Sequence, residues 1–216
     1  MNVNYLDFFD LKLIKELRNK IKRKESHFKP IEAKFGFNLP LSLLNGIEIR
    51  KNFPEIVSFA ETNIKELVER EVGTPINLMR DNLRSIRIQR YTSPKEGFLW
   101  HIDGADYTVF ITLSNTLKGG TEYISFKRSL LLKPLVYFYP FLVLFNRCSW
   151  AIRPFAPRRM LGEPGDLILL QGGKSAHRTY CESESGERQI LAISFDRVTK
   201  PKNPIWDFIA QKLVHQ

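Results

Sequence analysis

Residues 84–114 read RSIRIQRYTSPKEGFLWHIDGADYTVFITLS, and the interpretation of the whole chain starts from this stretch. Apolar and polar side chains alternate over 84–92, which predicts a half-buried β-strand. A second strand is predicted over 107–114, and His101 and Asp103 lie in the short segment before it. The polar face of the first strand carries Arg87, Gln89 and Tyr91. The stretch therefore places two residues that can bind a metal beside predicted strands.

Helices are predicted on both sides of the strand region. Apolar residues at helical spacing predict an amphipathic helix over 5–24, whose second half is basic. A solvated face, a membrane surface or nucleic acid would each suit that basic half. A second helix is predicted from the Asn52 cap and Pro54 to Gly73, after irregular residues 25–50. Asn203 and Pro204 predict the start of a C-terminal helix.

Several short strands bounded by Gly and Pro follow residue 114. They are predicted at 121–126, 166–170, 175–180 and 188–195. Residues 181–187 are predicted to close a hairpin between the last two strands, which would place Arg188 across from Thr179. Helices first, then many short strands, then a helix indicate an α+β protein with a β-sandwich or jelly-roll centre.

The composition excludes several classes of protein. The chain has 216 residues, 43% of them hydrophobic, which is enough for a core and excludes a wholly disordered protein. Two cysteines cannot form a disulfide scaffold or a four-cysteine zinc site. The net charge of +10 favours acidic partners. Residues 1–10 lack the pattern of a signal peptide, and no stretch is long and apolar enough to span a membrane, so we expect a cytoplasmic protein.

Three residues have the chemistry of a metal site. His101 and Asp103 are followed by a second histidine, His177, on a later predicted strand. Two imidazoles and one carboxylate on one face of an octahedral metal form the set used for non-haem iron(II), which leaves three positions open. A histidine and an aspartate two positions apart are by themselves weak evidence for a metal site. Their position before a predicted strand, with His177 later in the chain, strengthens that prediction.

In these residues the sequence resembles the iron(II)/2-oxoglutarate-dependent dioxygenases, in particular their prolyl-hydroxylase-like branch. The resemblance covers about residues 87–195 and implies a double-stranded β-helix, or jelly-roll, core. It also implies that His101, Asp103 and His177 bind Fe(II). Gly119-Gly120-Thr121 and Pro164-Gly165-Asp166 are typical of the same family.

The resemblance also implies a site for the cosubstrate. A basic residue shortly after the distal histidine usually holds the far carboxylate of 2-oxoglutarate, and Arg188 lies at the corresponding position. The fixed fork of a guanidinium suits a carboxylate. Tyr91 matches a tyrosine that often contacts the same cosubstrate, although an aromatic side chain on a strand also suits the core. O2 is the second cosubstrate, and ascorbate is a further candidate.

The chain departs from the family pattern at one point. Many members have Arg-x-Ser at the cosubstrate anchor, whereas this chain reads Arg188-Gln189-Ile190 and lacks the hydroxyl. Halogenating relatives have Gly or Ala in place of the metal-binding carboxylate. The presence of Asp103 therefore favours oxygenation.

We expect a single catalytic domain over 1–216. Its parts are a helical N-terminal support over 1–83, a jelly-roll core over 84–196 with an apolar and basic insert at 127–160, and a C-terminal helix over 197–216. The insert suggests three roles: part of the core, a lid over the pocket, or a peripheral membrane contact through residues 130–145.

The expected reaction is hydroxylation of an unactivated C–H bond, with release of succinate and CO2. The expected substrate is a small molecule, either apolar and lipophilic or anionic. Desaturation or ring closure would use the same residues. The alternatives are a nucleic-acid or protein-side-chain oxygenase of the same superfamily, and a non-catalytic jelly-roll module that binds a metal or ligand. Nucleic acid is not the expected partner, because the Arg-rich signature of those relatives is absent after His177.

Overall fold

Two antiparallel sheets form the centre of the molecule, and a computed structural model describes residues 2–32, 39–125 and 153–199. The strands in these residues are β1 (Val3–Tyr5), β2 (Lys29–Ile31), β3 (Leu41–Leu44), β4 (Ile76–Leu78), β5 (Ile86–Tyr91), β6 (Tyr107–Asn115), β7 (Gly120–Tyr123), β8 (Arg158–Leu161), β9 (Leu167–Leu170), β10 (His177–Tyr180) and β11 (Arg188–Arg197). The helices are α1 (Leu11–Lys22), α2 (Gly46–Asn52), α3 (Pro54–Phe59) and α4 (Lys65–Val72). A π-helical segment, Ala60–Ile64, joins α3 to α4, and 3-10 turns lie at Glu25–His27 and Arg153–Phe155.

From β5 onward the chain passes back and forth between the two sheets. The large sheet has the order β1-β9-β6-β11-β5-β3-β2, with β4 also paired to β11, and the small sheet has the order β10-β7-β8. The segment before β6 runs beside β10, because Phe98 and His101 pair with Thr179 and His177 through backbone hydrogen bonds. The strands therefore alternate as in a double-stranded β-helix, and the predicted α+β jelly-roll fold is confirmed.

Each face of the large sheet packs against a different layer. The outer face carries Val109, Ile111, Leu191 and Ile193, which belong to one buried cluster with the helices. The inner face carries residues such as Phe110, Ile190 and Tyr91, which form a second cluster with side chains of the small sheet. Strict alternation along the strands separates the two sets. Polar side chains on the inner face are thereby directed between the sheets.

The helices begin and end at side chains suited to those positions. The Asp10 carboxylate accepts from the backbone N–H of Lys12 at 2.8 Å and caps α1. Pro54 occupies the first turn of α3, and Gly73 ends α4 with φ +68°, in the left-handed region where glycine is not strained. The predicted helix over 52–73 is present as α3, the π-helical segment and α4.

Three predictions for the N-terminal region are corrected. The helix predicted over 5–24 begins only at Leu11, because Val3–Tyr5 forms β1 and extends the large sheet beside β9. Residues 25–50 are not simply irregular, since they include β2, β3 and most of α2. Asn52 is the last residue of α2 and not a cap.

The predicted hairpin is also wrong. β10 pairs with β7 in the small sheet, whereas β11 pairs with β5 and β6 in the large sheet. Residues 181–187 therefore carry the chain from one sheet to the other. Arg188 lies opposite Tyr91 and Asn115, not opposite Thr179.

Two predictions fall outside the described residues. They are the C-terminal helix and most of the insert at 127–160, including the proposed membrane contact at 130–145. Within the described part of the chain, no helix combines the length and hydropathy that a membrane crossing requires.

The buried side chain of Asn115 secures the passage from β6 to β7. It donates to the carbonyl oxygens of Gly119 and Gly162 at 2.8 and 2.7 Å, and it accepts from the N–H of Gly119 at 2.8 Å. We predict that Asn115→Ala lowers the free energy of unfolding by about 2–4 kcal/mol, because buried polar groups lose their partners. Urea denaturation measures this change.

The matched control is Asn77→Ala, at an exposed position on β4. Its effect should stay within about 0.5 kcal/mol. Equal losses in the two variants would show that the Asn115 hydrogen bonds do not stabilise the passage.

Candidate metal centre

The backbones of His101 and His177 are paired. The N–H of each residue donates to the carbonyl oxygen of the other at 2.9 Å. This antiparallel bridge places the two imidazoles side by side, with ring centroids 4.3 Å apart. Residues 76 positions apart in the sequence thus become neighbours because the chain returns to the small sheet.

Each imidazole is held by its own Nδ1 atom. His101 Nδ1 donates to the carbonyl oxygen of Leu99 at 2.7 Å, and His177 Nδ1 donates to that of Ser175 at 2.9 Å. A carbonyl oxygen only accepts, so Nδ1 carries the proton in both rings. Nε2 of each neutral ring then has a lone pair available for a metal.

Asp103 lies between the two imidazoles. Its Oδ1 is 3.3 Å from His101 Nε2, and its Oδ2 is 3.5 Å from His177 Nε2. One ligand atom from each of the three residues lies within 4.8 Å of the others. These predicted metal ligands are therefore brought together, in the two-histidine, one-carboxylate set that suits non-haem iron(II).

Two residues fix the Asp103 carboxylate. The hydroxyl of Thr108 donates to Oδ2 at 2.5 Å, and the backbone N–H of Asp103 donates to Gly172 at 3.0 Å. A Cβ atom at position 172 would lie 2.3 Å from Oδ2, so only glycine leaves space for the carboxylate. Neither role can be predicted from the sequence, because Thr108 lies inside a predicted strand and Gly172 follows another, where a glycine usually only ends the strand.

The protonation states suit metal binding. Burial lowers the pKa of His177 to about 4 even though the Asp103 carboxylate raises it, so this imidazole is neutral at pH 7. Burial of Asp103 opposes its ionisation, but the His177 and His101 imidazoles when protonated, together with the Thr108 hydroxyl, hold its pKa well below the ordinary value. The site therefore offers a neutral nitrogen at His177 and a carboxylate at Asp103.

Arg188 is a buried cation on the inner face of β11. Its side chain is 1% exposed, and its Nε and Nη2 atoms have no hydrogen-bond partner among the described residues. Burial lowers its pKa, and the nearest groups that oppose this effect are Tyr91, Cys181 and Tyr180. A Cβ atom at Gly119 would lie 2.7 Å from Arg188 Cδ, so this glycine makes room for the side chain. An unpaired buried guanidinium of this kind is a receptor for an anion.

Tyr91 lies directly across from Arg188 on β5. The guanidinium carbon is 5.6 Å from the centre of the Tyr91 ring. The Tyr91 hydroxyl donates to Gln89 Oε1 at 2.5 Å, and burial raises the pKa of Tyr91 to about 12. The role of Tyr91 as a cosubstrate contact stays a prediction.

Comparison with known proteins shows the fold. No protein-family model and no curated protein matches the sequence. Solved structures do match: the non-haem alpha-ketoglutarate-dependent carbocyclase SnoK from nogalamycin biosynthesis has a TM-score of 0.68 at 14% identity, over 90% of this chain and 78% of SnoK. HygX from Streptomyces hygroscopicus, crystallised with nickel, 2-oxoglutarate and hygromycin B, has a TM-score of 0.65 at 13% identity, over 92% of this chain and 83% of HygX.

A Pseudomonas putida prolyl-4-hydroxylase matches with a TM-score of 0.56 at 11% identity, over 91% of this chain and 92% of the hydroxylase. The fold of this chain is therefore that of the iron- and 2-oxoglutarate-dependent oxygenases.

Thr108 provides a direct test of the metal centre. We predict that Thr108→Val weakens binding of Mn(II), a redox-stable substitute for iron(II), by about 10–100-fold, because the Asp103 carboxylate loses its anchor. Isothermal titration calorimetry measures the affinity.

Thr112→Val is the matched control, since Thr112 lies on the same strand and its buried hydroxyl has no hydrogen-bond partner among the described residues. We expect this variant to bind Mn(II) as the wild type does. A loss of the same size in both variants would mean that Thr108 does not act through Asp103.

Proposed function

We propose that this chain is an Fe(II)- and 2-oxoglutarate-dependent oxygenase that hydroxylates an unactivated C–H bond of a small molecule. The proposal rests on the Arg188 guanidinium, whose Nε and Nη2 atoms have no hydrogen-bond partner in the part of the chain that the structure describes, and which lies on the inner face of the sheets that hold His101, Asp103 and His177. A metal site alone would fit many functions. A metal site with a buried cation nearby fits a ligand that is both a chelator and an anion.

His101, Asp103 and His177 would hold the metal through Nε2, one carboxylate oxygen and Nε2. Their anchors, the carbonyls of Leu99 and Ser175 and the Thr108 hydroxyl, fix the directions of these atoms before any metal binds. Three protein ligands leave half of an octahedral shell for other molecules. With iron(II), 2-oxoglutarate and dioxygen in those positions, the centre would supply the oxidising power for hydroxylation, with succinate and CO2 as coproducts.

Arg188 would bind the carboxylate of 2-oxoglutarate that lies away from the metal. Burying a guanidinium without a partner costs several kcal/mol, and a carboxylate that enters the site removes this cost. The guanidinium offers two parallel N–H donors to one carboxylate. β11 lacks a hydroxyl two positions after Arg188, where Ile190 stands. The Tyr91 hydroxyl would supply the second contact by turning its proton from Gln89 Oε1 to the carboxylate.

The substrate would enter the remaining space between the sheets. The buried cluster there is formed by apolar and aromatic side chains such as Phe110, Ile168 and Leu170. An apolar wall of this kind would exclude water from the reacting atoms. It favours a small molecule with an apolar part, and HygX with bound hygromycin B shows that this fold accepts a small-molecule partner.

Succinate formation tests the proposal. Purified protein with Fe(II), 2-oxoglutarate and oxygen should form succinate, measured by mass spectrometry, and Asp103→Ala should abolish the product because the metal loses its carboxylate ligand. No succinate from the wild type under any substrate mixture, together with weak metal binding, would favour a non-catalytic binding module.

Arg188→Gln tests the cosubstrate site separately. We predict that the KM for 2-oxoglutarate rises by about 10–100-fold, because a charge-assisted contact is lost. The affinity for Mn(II) should stay within about twofold of the wild-type value. Arg188→Lys should recover part of the loss. The control is Arg197→Gln on the same strand, where the side chain pairs with Asp106. An unchanged KM in Arg188→Gln would contradict the assignment.

A further inference from the structure

A second arginine, Arg87, faces the space between the sheets. It lies on β5 opposite Ala192 of β11, and it shares the inner face of β5 with Gln89 and Tyr91. Its Nε atom is buried and has no hydrogen-bond partner in the described residues. The Nη2 atom contacts the hydroxyl of Ser194 at 3.4 Å, which is a long hydrogen bond. Most N–H groups of this guanidinium therefore donate no hydrogen bond in these contacts.

The carboxylates near Arg87 have other partners. Asp103 lies between the two imidazoles and accepts from Thr108. Asp81 is paired with Arg84 at 2.6 Å. Burial lowers the pKa of Arg87, and the charge of Asp103 only partly offsets this effect. Arg87 thus interacts electrostatically with Asp103 and forms no ion pair of its own among the described residues.

Arg87 and Arg188 occupy different parts of the inner face. Arg188 is level with Tyr91, and Arg87 is four residues further along β5, a distance of about 13 Å along the strand. Arg188 is near Cys181 and Tyr180, whereas Arg87 is near Asp103. A diacid that reaches from the metal to Arg188 would leave Arg87 free.

The charges of the filled site support a second anion. The two positive charges of the metal and that of Arg188 would balance Asp103 and the two carboxylates of 2-oxoglutarate. Arg87 is half-buried, with its Nε atom buried, and its charge would then have no negative partner among the described residues, which is unfavourable for the buried part of the guanidinium.

We propose that Arg87 binds a carboxylate or phosphate group of the organic substrate and so orients the substrate beside the metal. This inference rests on the proposed function and narrows the substrate class to anions. The guanidinium fork would bind the anion through Nε and one terminal nitrogen. The rest of the substrate would then lie against the apolar wall.

Paramagnetic broadening of a fluorine resonance tests the inference. Protein loaded with Mn(II) and saturated with 2-oxoglutarate is mixed with trifluoroacetate, and the 19F line width is compared with that for the protein loaded with diamagnetic Zn(II). We expect Mn(II)-dependent broadening for the wild type, and a decrease of about tenfold or more in Arg87→Gln, because a charge-assisted contact is lost. Arg87→Lys should keep part of the effect, and neutral trifluoroethanol should show little broadening. Inorganic phosphate, observed through its 31P line, tests the phosphate arm.

The matched control is Arg90→Gln. Arg90 lies on the same strand but pairs with Glu187 and Glu25. This variant should broaden the trifluoroacetate line as the wild type does. Equal broadening in Arg87→Gln would show that the anion binds the metal directly, and absence of broadening in the wild type would show that no anion site exists. Either result overturns the inference.

Calorimetry on the same samples separates this inference from the proposed function. If Arg87→Gln weakens 2-oxoglutarate binding as much as Arg188→Gln does, Arg87 belongs to the cosubstrate site and the inference is wrong. If the wild type itself binds neither Mn(II) nor 2-oxoglutarate, the proposed function fails and the inference fails with it.

Discussion

Two backbone hydrogen bonds between His101 and His177 are the contact on which the rest of the site depends. They exist because the segment before β6 and the strand β10 meet in the small sheet, although 75 residues separate their histidines in the chain. Once this register is set, the Nδ1 anchors determine where both Nε2 atoms point. Asp103, two residues after the first histidine, then needs only the space at Gly172 and the Thr108 hydroxyl to complete the set. The metal centre is thus a consequence of strand pairing.

The inner face of the large sheet carries two arginines that residues 2–32, 39–125 and 153–199 leave with unpartnered nitrogen atoms. Arg188 has buried nitrogen atoms without partners, and Arg87 has one buried nitrogen without a partner, among the described residues. Burying an unpaired charge is unfavourable, so both arginines lower the free energy of unfolding. Such local conflicts with stability are expected where a protein binds a ligand. The two arginines differ in what surrounds them, which is why we assign them to different anions.

The sequence predicted the positions of most strands, and the three residues that the structure brings together as candidate metal ligands, better than it predicted the pairing of the strands. Alternation identified β5 and placed Arg87, Gln89 and Tyr91 on one face, as observed. The hairpin between 175–180 and 188–195 was wrong, because residues adjacent in the sequence usually pair, whereas a double-stranded β-helix sends consecutive strands to opposite sheets. The strand Val3–Tyr5 was missed because three residues are too few for a periodic signal and take their structure from β9. The anchor at Thr108 depends on a contact in space that no spacing in the sequence encodes.

A crystal structure of the protein with Mn(II) and 2-oxoglutarate, with the metal located by anomalous scattering, tests the metal ligands most directly. We predict one metal peak about 2.0–2.3 Å from Nε2 of His101, a carboxylate oxygen of Asp103 and Nε2 of His177. We also predict the far carboxylate of 2-oxoglutarate on the guanidinium of Arg188. A metal bound elsewhere, or either imidazole turned away from it, would contradict the account.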